Sequence, residues 1–168
     1  MKPIAIVLNG ASSSGKTSLA KALQEVWSTP LIHASLDSFT DVFSWSAIRS
    51  EETRKGCHKF GVQSFHNYLS SIAKSDYPIV VDHVFEQKSW LENTRKALKH
   101  RPVIFVFVRC DLSILGKREK QRGDRRIGLA RAQHELVHES IIYDLEVDTT
   151  HQTPACCAAI IMNTLQKK

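Results

Sequence analysis

Eight consecutive residues, Gly10-Ala11-Ser12-Ser13-Ser14-Gly15-Lys16-Thr17, follow the G-x-x-x-x-G-K-[ST] spacing of a phosphate-binding loop. Glycines at both ends permit backbone angles that turn several N–H groups inward. A helix starting at the loop's end adds the positive end of its dipole, so main chain alone can hold an anion. Lys16 supplies a point charge for β and γ phosphates, and Thr17 a hydroxyl for Mg²⁺. ATP and Mg²⁺ are therefore the expected cofactors, with Gly10 to Thr17 and, from the basic segment further on, Arg118 as the nucleotide-binding residues.

Two carboxylates stand where such chemistry needs them. Asp37 closes a short apolar run, and could accept or orient the proton of an attacking hydroxyl; an Asx turn or helix cap would use the same residue. Pro78-Ile79-Val80-Val81-Asp82 is an apolar strand ending in an acid, the Walker-B arrangement, which makes Asp82 the second candidate for the metal site beside Thr17. His83 either adds to that site or faces a neighbouring loop. The third group is basic. Lys117, Arg118, Lys120, Arg122, Arg125, Arg126 and Arg131 crowd one segment containing Gly123, which reads as a lid whose arginines neutralise the transferred phosphate, or as a solvated basic face. Arg118 and Arg122 share a helix face, and Arg125 follows the Gly-Asp turn. The N-K-x-D and D-x-x-G patterns of guanine-nucleotide switches do not occur.

Short apolar runs alternate with amphipathic stretches, which predicts an α/β fold with a mostly parallel sheet. The predicted strands are Ile4 to Asn9, Leu31 to Leu36, Ile79 to Asp82, Val103 to Arg109 and Leu145 to Asp148. Thr17 to Trp27 places Leu19, Leu23, Val26 and Trp27 on one helical face, and Val62 to Ala73 does the same with Phe65, Leu69 and Ile72. Ser89-Trp90-Leu91-Glu92 has capping-box form, and Thr153-Pro154 predicts the start of a last helix. Thr40 to Phe60 shows no clean period and suits a mobile cover or an acceptor-binding excursion.

Beyond these patterns the chain resembles the chloramphenicol phosphotransferase family. The carriers are the loop at Gly10, Asp37-Ser38, Val81-Asp82-His83-Val84-Phe85, Val108-Arg109-Cys110-Asp111, Arg122-Gly123-Asp124-Arg125, Val137-His138-Glu139, and above all Tyr143-Asp144-Leu145-Glu146-Val147-Asp148-Thr149-Thr150-His151. The resemblance implies an adenylate-kinase-like P-loop fold, three layers α/β/α, with a five-stranded parallel sheet ordered 2-3-1-4-5. It implies transfer of the γ-phosphoryl group to a hydroxyl of the acceptor, with Asp37 taking the proton and Arg122 and Arg125 on the phosphate. Where that family has an acidic pair this chain reads Asp82-His83. The likeness also stops short of Thr40 to Pro78, the segment that would line the acceptor pocket.

The 168 residues, 42% apolar, fit one P-loop kinase domain, with the lid at about 117–131 and the excursion at about 40–60. The net charge of +6 sits mostly in the lid segment, which lacks interleaved aromatics, so nucleotide phosphates match it better than nucleic acid. Cys57, Cys110, Cys156 and Cys157 have no C-x-x-C spacing, and His134 and His138 carry no ligand pattern, so reduced thiols and surface or capping histidines are expected. No signal core or membrane span is present, which predicts a soluble cytoplasmic protein. The expected partner is a small hydroxyl-bearing acceptor; a homo-oligomer is compatible with the sequence. The competing readings are a nucleotide-binding regulatory or toxin-like protein and a metabolite or nucleoside kinase of other specificity.

Overall fold

A computed structural model describes residues 3–122, 127–138 and 141–167. Five strands, β1 (Ala5–Asn9), β2 (Ile32–Ser35), β3 (Ile79–His83), β4 (Val103–Arg109) and β5 (Leu145–Asp148), form one sheet in the order β2-β3-β1-β4-β5. All four pairings are parallel. The order and the strand positions agree with the sequence-based expectation to within a residue or two at each end.

Alternation along β1 explains the layers. Ala5 and Val7 point to one face, Ile6 and Leu8 to the other, and all four are fully buried, because helices cover both sides of a parallel sheet. Ile6 and Leu8 pack with Leu19 and Leu23 of α1 (Lys16–Val26) and with Cys157, Ala158 and Ile161 of α7 (Pro154–Gln166). Ala5 and Val7 pack with Phe65 and Leu69 of α3 (Glu51–Ile72) and with Trp90 and Leu91 of α4 (Lys88–Ala97). The short helix α2 (Asp37–Thr40) follows β2, while α5 (Leu112–Arg122) and α6 (Leu129–Leu136) lie between β4 and β5 in the chain.

Three local expectations change. Val26 is half exposed at the last turn of α1, although Leu19 and Leu23 are buried as expected. Ser89 does not cap α4: the helix already begins at Lys88, with Gln87 at the cap and no side-chain cap bond. Part of the stretch without apolar period is regular structure, since α3 begins at Glu51. Ser50 caps it, accepting from the Thr53 N–H, and Glu51 and Glu52 occupy its first turn where the helix dipole favours acids. Most of its first ten residues face solvent, so no apolar stripe was needed there. The last helix starts as its sequence predicts, with the Thr153 hydroxyl accepting from the Cys156 N–H and Pro154 in the first turn.

At the opposite end of the sheet from the loops, Arg101 is buried and donates to the carbonyls of Ile72, Ala73, Ser75, Tyr77 and Pro3. It thereby ties the end of α3, the entry to β3 and the entry to β1 together. No helix among the described residues is long and apolar enough to cross a membrane.

Candidate active site

The phosphate loop leaves β1 at Asn9, a fully buried amide. Its Nδ2 donates to the Val137 carbonyl at 2.7 Å and to the Tyr143 hydroxyl at 2.6 Å, and its Oδ1 accepts from the Phe85 N–H at 3.1 Å. One side chain thus joins the segments that follow β3, follow α6 and precede β5. Gly10 follows because nothing larger fits: a Cβ there would lie 2.5 Å from the Val108 carbonyl oxygen. Ser13 and Gly15 both take the left-handed conformation, φ 64° and 91°. At Ser13 this strains the backbone, a feature concentrated at functional sites.

The loop opens onto the N-terminus of α1, which has no side-chain cap and no acid in its first turn. Its N–H groups and dipole suit an anion. Lys16 is buried, with Nζ donating to the Gly10 and Ala11 carbonyls at 2.9 and 2.8 Å. The hydroxyls of Ser13 and Ser14 are buried, with no hydrogen-bond partner among the described residues. From the far side, the Thr149 hydroxyl donates to the Ser14 carbonyl at 2.7 Å, fastening the loop after β5 onto the phosphate loop.

At the tip of β3, Asp82 accepts from the Thr17 hydroxyl at 2.6 Å and lies 3.7 Å from His33 Nε2. Burial alone would raise its pKa, but the His33 contact, the Lys16 charge and the Thr17 hydrogen bond outweigh it and hold the carboxyl below its ordinary value. An ionised acid beside a hydroxyl suits a hard cation with oxygen ligands. Among the described residues no three potential ligands gather into a cage, so such a cation would complete its shell with phosphate oxygens and water, the usual habit of Mg²⁺.

His83, the residue after Asp82, packs among aromatic rings. It is fully buried between the rings of Phe85, Phe65 and Trp90, at 4.4, 5.2 and 5.8 Å, and 3.4 Å from His66 Nε2. Burial and the neighbouring His66 push it down to about 3, so it is neutral. Its Nδ1 lies 2.8 Å from the Val84 backbone nitrogen and 3.1 Å from the Val84 carbonyl oxygen, while its Nε2 faces His66. His138 also departs from the surface role expected of it: it packs on Phe107 at 4.0 Å and accepts at Nδ1 from the Tyr143 hydroxyl at 2.7 Å. Burial, with His134 and Lys16 nearby, pushes it down to about 4.

One cleft of about 760 Å³ brings the predicted residues together: Ser12, Ser13, Gly15, Lys16 and Thr17 on the loop, Asp37 as the first residue of α2, Asp82, and Arg118 and Arg122 of α5. Gly10, Ala11 and Ser14 lie behind its wall; Ala11 is buried against Cys110, Leu115 and Ala130. Arg118 donates to the Thr149 carbonyl at 2.7 Å, over the phosphate loop. Arg125 lies outside the described residues. Glu119, buried in the basic segment, accepts from the N–H groups of Gly128 and Ala130 at 2.6 and 2.9 Å, so it caps α6. Those bonds hold its carboxyl below the ordinary range despite burial.

Trp45 and His58, from the segment expected to form an excursion over the acceptor, line the cleft together with Glu86, Trp90 and Gln133, which carried no sequence signal for the site; only the fold makes them neighbours. Trp45 donates its indole N–H to the Thr40 carbonyl at 3.0 Å, and Arg54 of α3 donates to the Trp45 and Ile48 carbonyls at 2.9 and 3.0 Å. The wall is thus hydrogen-bonded to α3.

Known proteins resemble the chain in sequence and in fold. Over 171 residues the chain is 27% identical to candidate O-phosphotransferases of two Mycobacterium tuberculosis strains, covering 86% of this chain and 74% of theirs. Its fold superposes on a candidate kinase from Chloroflexus aurantiacus with a TM-score of 0.71 at 20% identity, covering 99% and 97% of the two chains. A Mycobacterium tuberculosis APS kinase, solved with AMPPNP and APS, gives 0.71 at 14% identity with 98% of both chains covered. The match to the family description runs over residues 4–166, from β1 to the last turn of α7, and the chain belongs to the chloramphenicol phosphotransferase-like proteins, a family of phosphotransferases.

Proposed function

We propose that the protein transfers the γ-phosphoryl group of ATP to a hydroxyl of a small acceptor. The observation that carries this reading is the sharing of one cleft by a phosphate loop whose Thr17 hydroxyl meets Asp82 at 2.6 Å and by a carboxylate, Asp37, on the adjoining helix. Asp37 takes the proton of the acceptor hydroxyl as its oxygen bonds to the γ-phosphorus. The bond from that phosphorus to the β–γ bridging oxygen breaks, and ADP leaves with the electron pair. The loop amides and Lys16 hold the phosphates, and Arg118 and Arg122, which line the same cleft, neutralise the transferred group. Thr17 and Asp82 would hold Mg²⁺, which when bound neutralises charge on the β and γ phosphates.

Chloramphenicol is one acceptor to test, supported by family membership; nucleosides, sugars and other antibiotics are the alternatives. The assay is phosphate transfer from labelled ATP across such a panel, read as a mass gain on the acceptor. Lys16→Ala is expected to lose nucleotide binding, whereas Asp37→Asn keeps it and loses at least about 100-fold in transfer, the usual range for a removed general base. Full transfer by Asp37→Asn would remove the base assignment. ATP binding without transfer to any compound would favour a regulatory nucleotide-binding protein instead.

A further inference from the structure

Among the described residues, Gln133 of α6 touches both the phosphate loop and the opposite wall. Its Oε1 accepts from the Ser12 N–H at 2.7 Å, and its Nε2 donates to Glu86 Oε1. The two bonds fix the amide's orientation, since the reverse flip would set oxygen against carboxylate and N–H against N–H. Gln133 is itself buried, 5% exposed, so it is held as a built part of the site. Glu86 is half-buried and lines the cleft together with Asp37, Trp45, His58 and Trp90. Its backbone is anchored as well, because the preceding Phe85 N–H is taken by Asn9. No described protein group bonds its other carboxylate oxygen.

A carboxylate oxygen accepts hydrogen bonds and donates none, so it selects hydroxyl, amine or ammonium groups and repels anions. We propose that Glu86 is an acceptor-binding residue and Gln133 the residue that positions it: one hydroxyl of the acceptor lies at Asp37, and a second hydroxyl or amino group of the same molecule donates to Glu86. The inference rests on the transferase reading above and adds the acceptor's class, a polyol or amino alcohol rather than a mono-alcohol or an anionic sugar acid. Gln133 further ties this recognition to the loop that carries the donor phosphates.

The test uses full-length protein and the transfer panel, in which each diol or amino alcohol is paired with its analogue lacking one of the two groups. Wild type is expected to prefer the compound with both groups. Glu86→Gln should raise the KM of that compound about tenfold, the size of one charge-assisted hydrogen bond, with the ATP KM and the KM of the analogue little changed. Gln133→Leu should raise the same acceptor KM and also the ATP KM, since the Ser12 N–H loses its partner; thermal unfolding of both variants checks the fold. Preference for mono-alcohols or anionic acceptors, or equal losses by Glu86→Gln on both members of a pair, would overturn the assignment to Glu86 while leaving the transferase reading intact. Absence of transfer by wild type to every compound defeats both.

Discussion

The chemistry-bearing residues of this site were readable one at a time, and their partners were not. Lys16, Thr17, Asp37 and Asp82 stand at positions where a loop motif or a strand end makes their chemistry legible. Gln133 and Glu86 lie 47 residues apart in sequence, and no local pattern says that an amide on α6 will face a carboxylate after β3. The same holds for His83 and His138, whose neighbours come from other elements and whose burial no spacing announces. That burial has a consequence for stability. Both imidazoles are held far below the ordinary histidine value, at about 3 and about 4, so between pH 6.5 and 4 the unfolded chain binds protons there that the folded chain refuses. Stability is full above pH 6.5 and falls as the pH drops through that window, by up to about 1.4 kcal/mol per pH unit for each histidine. Urea unfolding midpoints at pH 7 and pH 5 should show the loss, and His138→Gln should flatten the slope.

At the scale of elements, strands were easier to find than the first turns of α3. Buried strands announce themselves by continuous apolar runs, whereas a helix half of which faces water needs only its cap and its acids. What makes α3 consequential is its closeness to α2. A Cβ at Gly61 would lie 2.7 Å from the Phe39 carbonyl oxygen, so a glycine there lets the helix that carries Asp37 sit directly against α3. Gly61→Ala forces the two apart, an overpacking cost of about 1–3 kcal/mol. It should also lower transfer more than nucleotide affinity, because Asp37 moves and the phosphate loop does not. Parallel measurement of kcat and of the ADP dissociation constant separates the two effects. The Thr40 to Phe60 stretch, expected as a mobile cover or an acceptor-binding excursion, is in part a cleft wall pinned by Arg54, and polar staples of that kind leave no period in the sequence.

The molecule as a whole depends on covering both faces of one sheet. Strand order was legible through family resemblance, while the pairing of α1 with α7 across one face comes from the three-dimensional arrangement: Ile161 is fully buried with Leu19, Leu23 and Val106. Ile161→Ala should cost about 2–5 kcal/mol by leaving a cavity under the helix that carries Lys16 and Thr17. A lowered urea midpoint with unchanged m-value would show it. The central place of β1 has another consequence, which concerns synthesis. Its two partners, β3 and β4, begin 74 and 98 residues further along the chain, with Ala5 opposite Ile79 and Val103. On a ribosome adding 5–20 residues per second, the apolar strand that ends in the phosphate loop therefore waits about 5–20 s for its second neighbour. β1 is thus flanked on both sides only once β4 has emerged, long after its own residues have been joined.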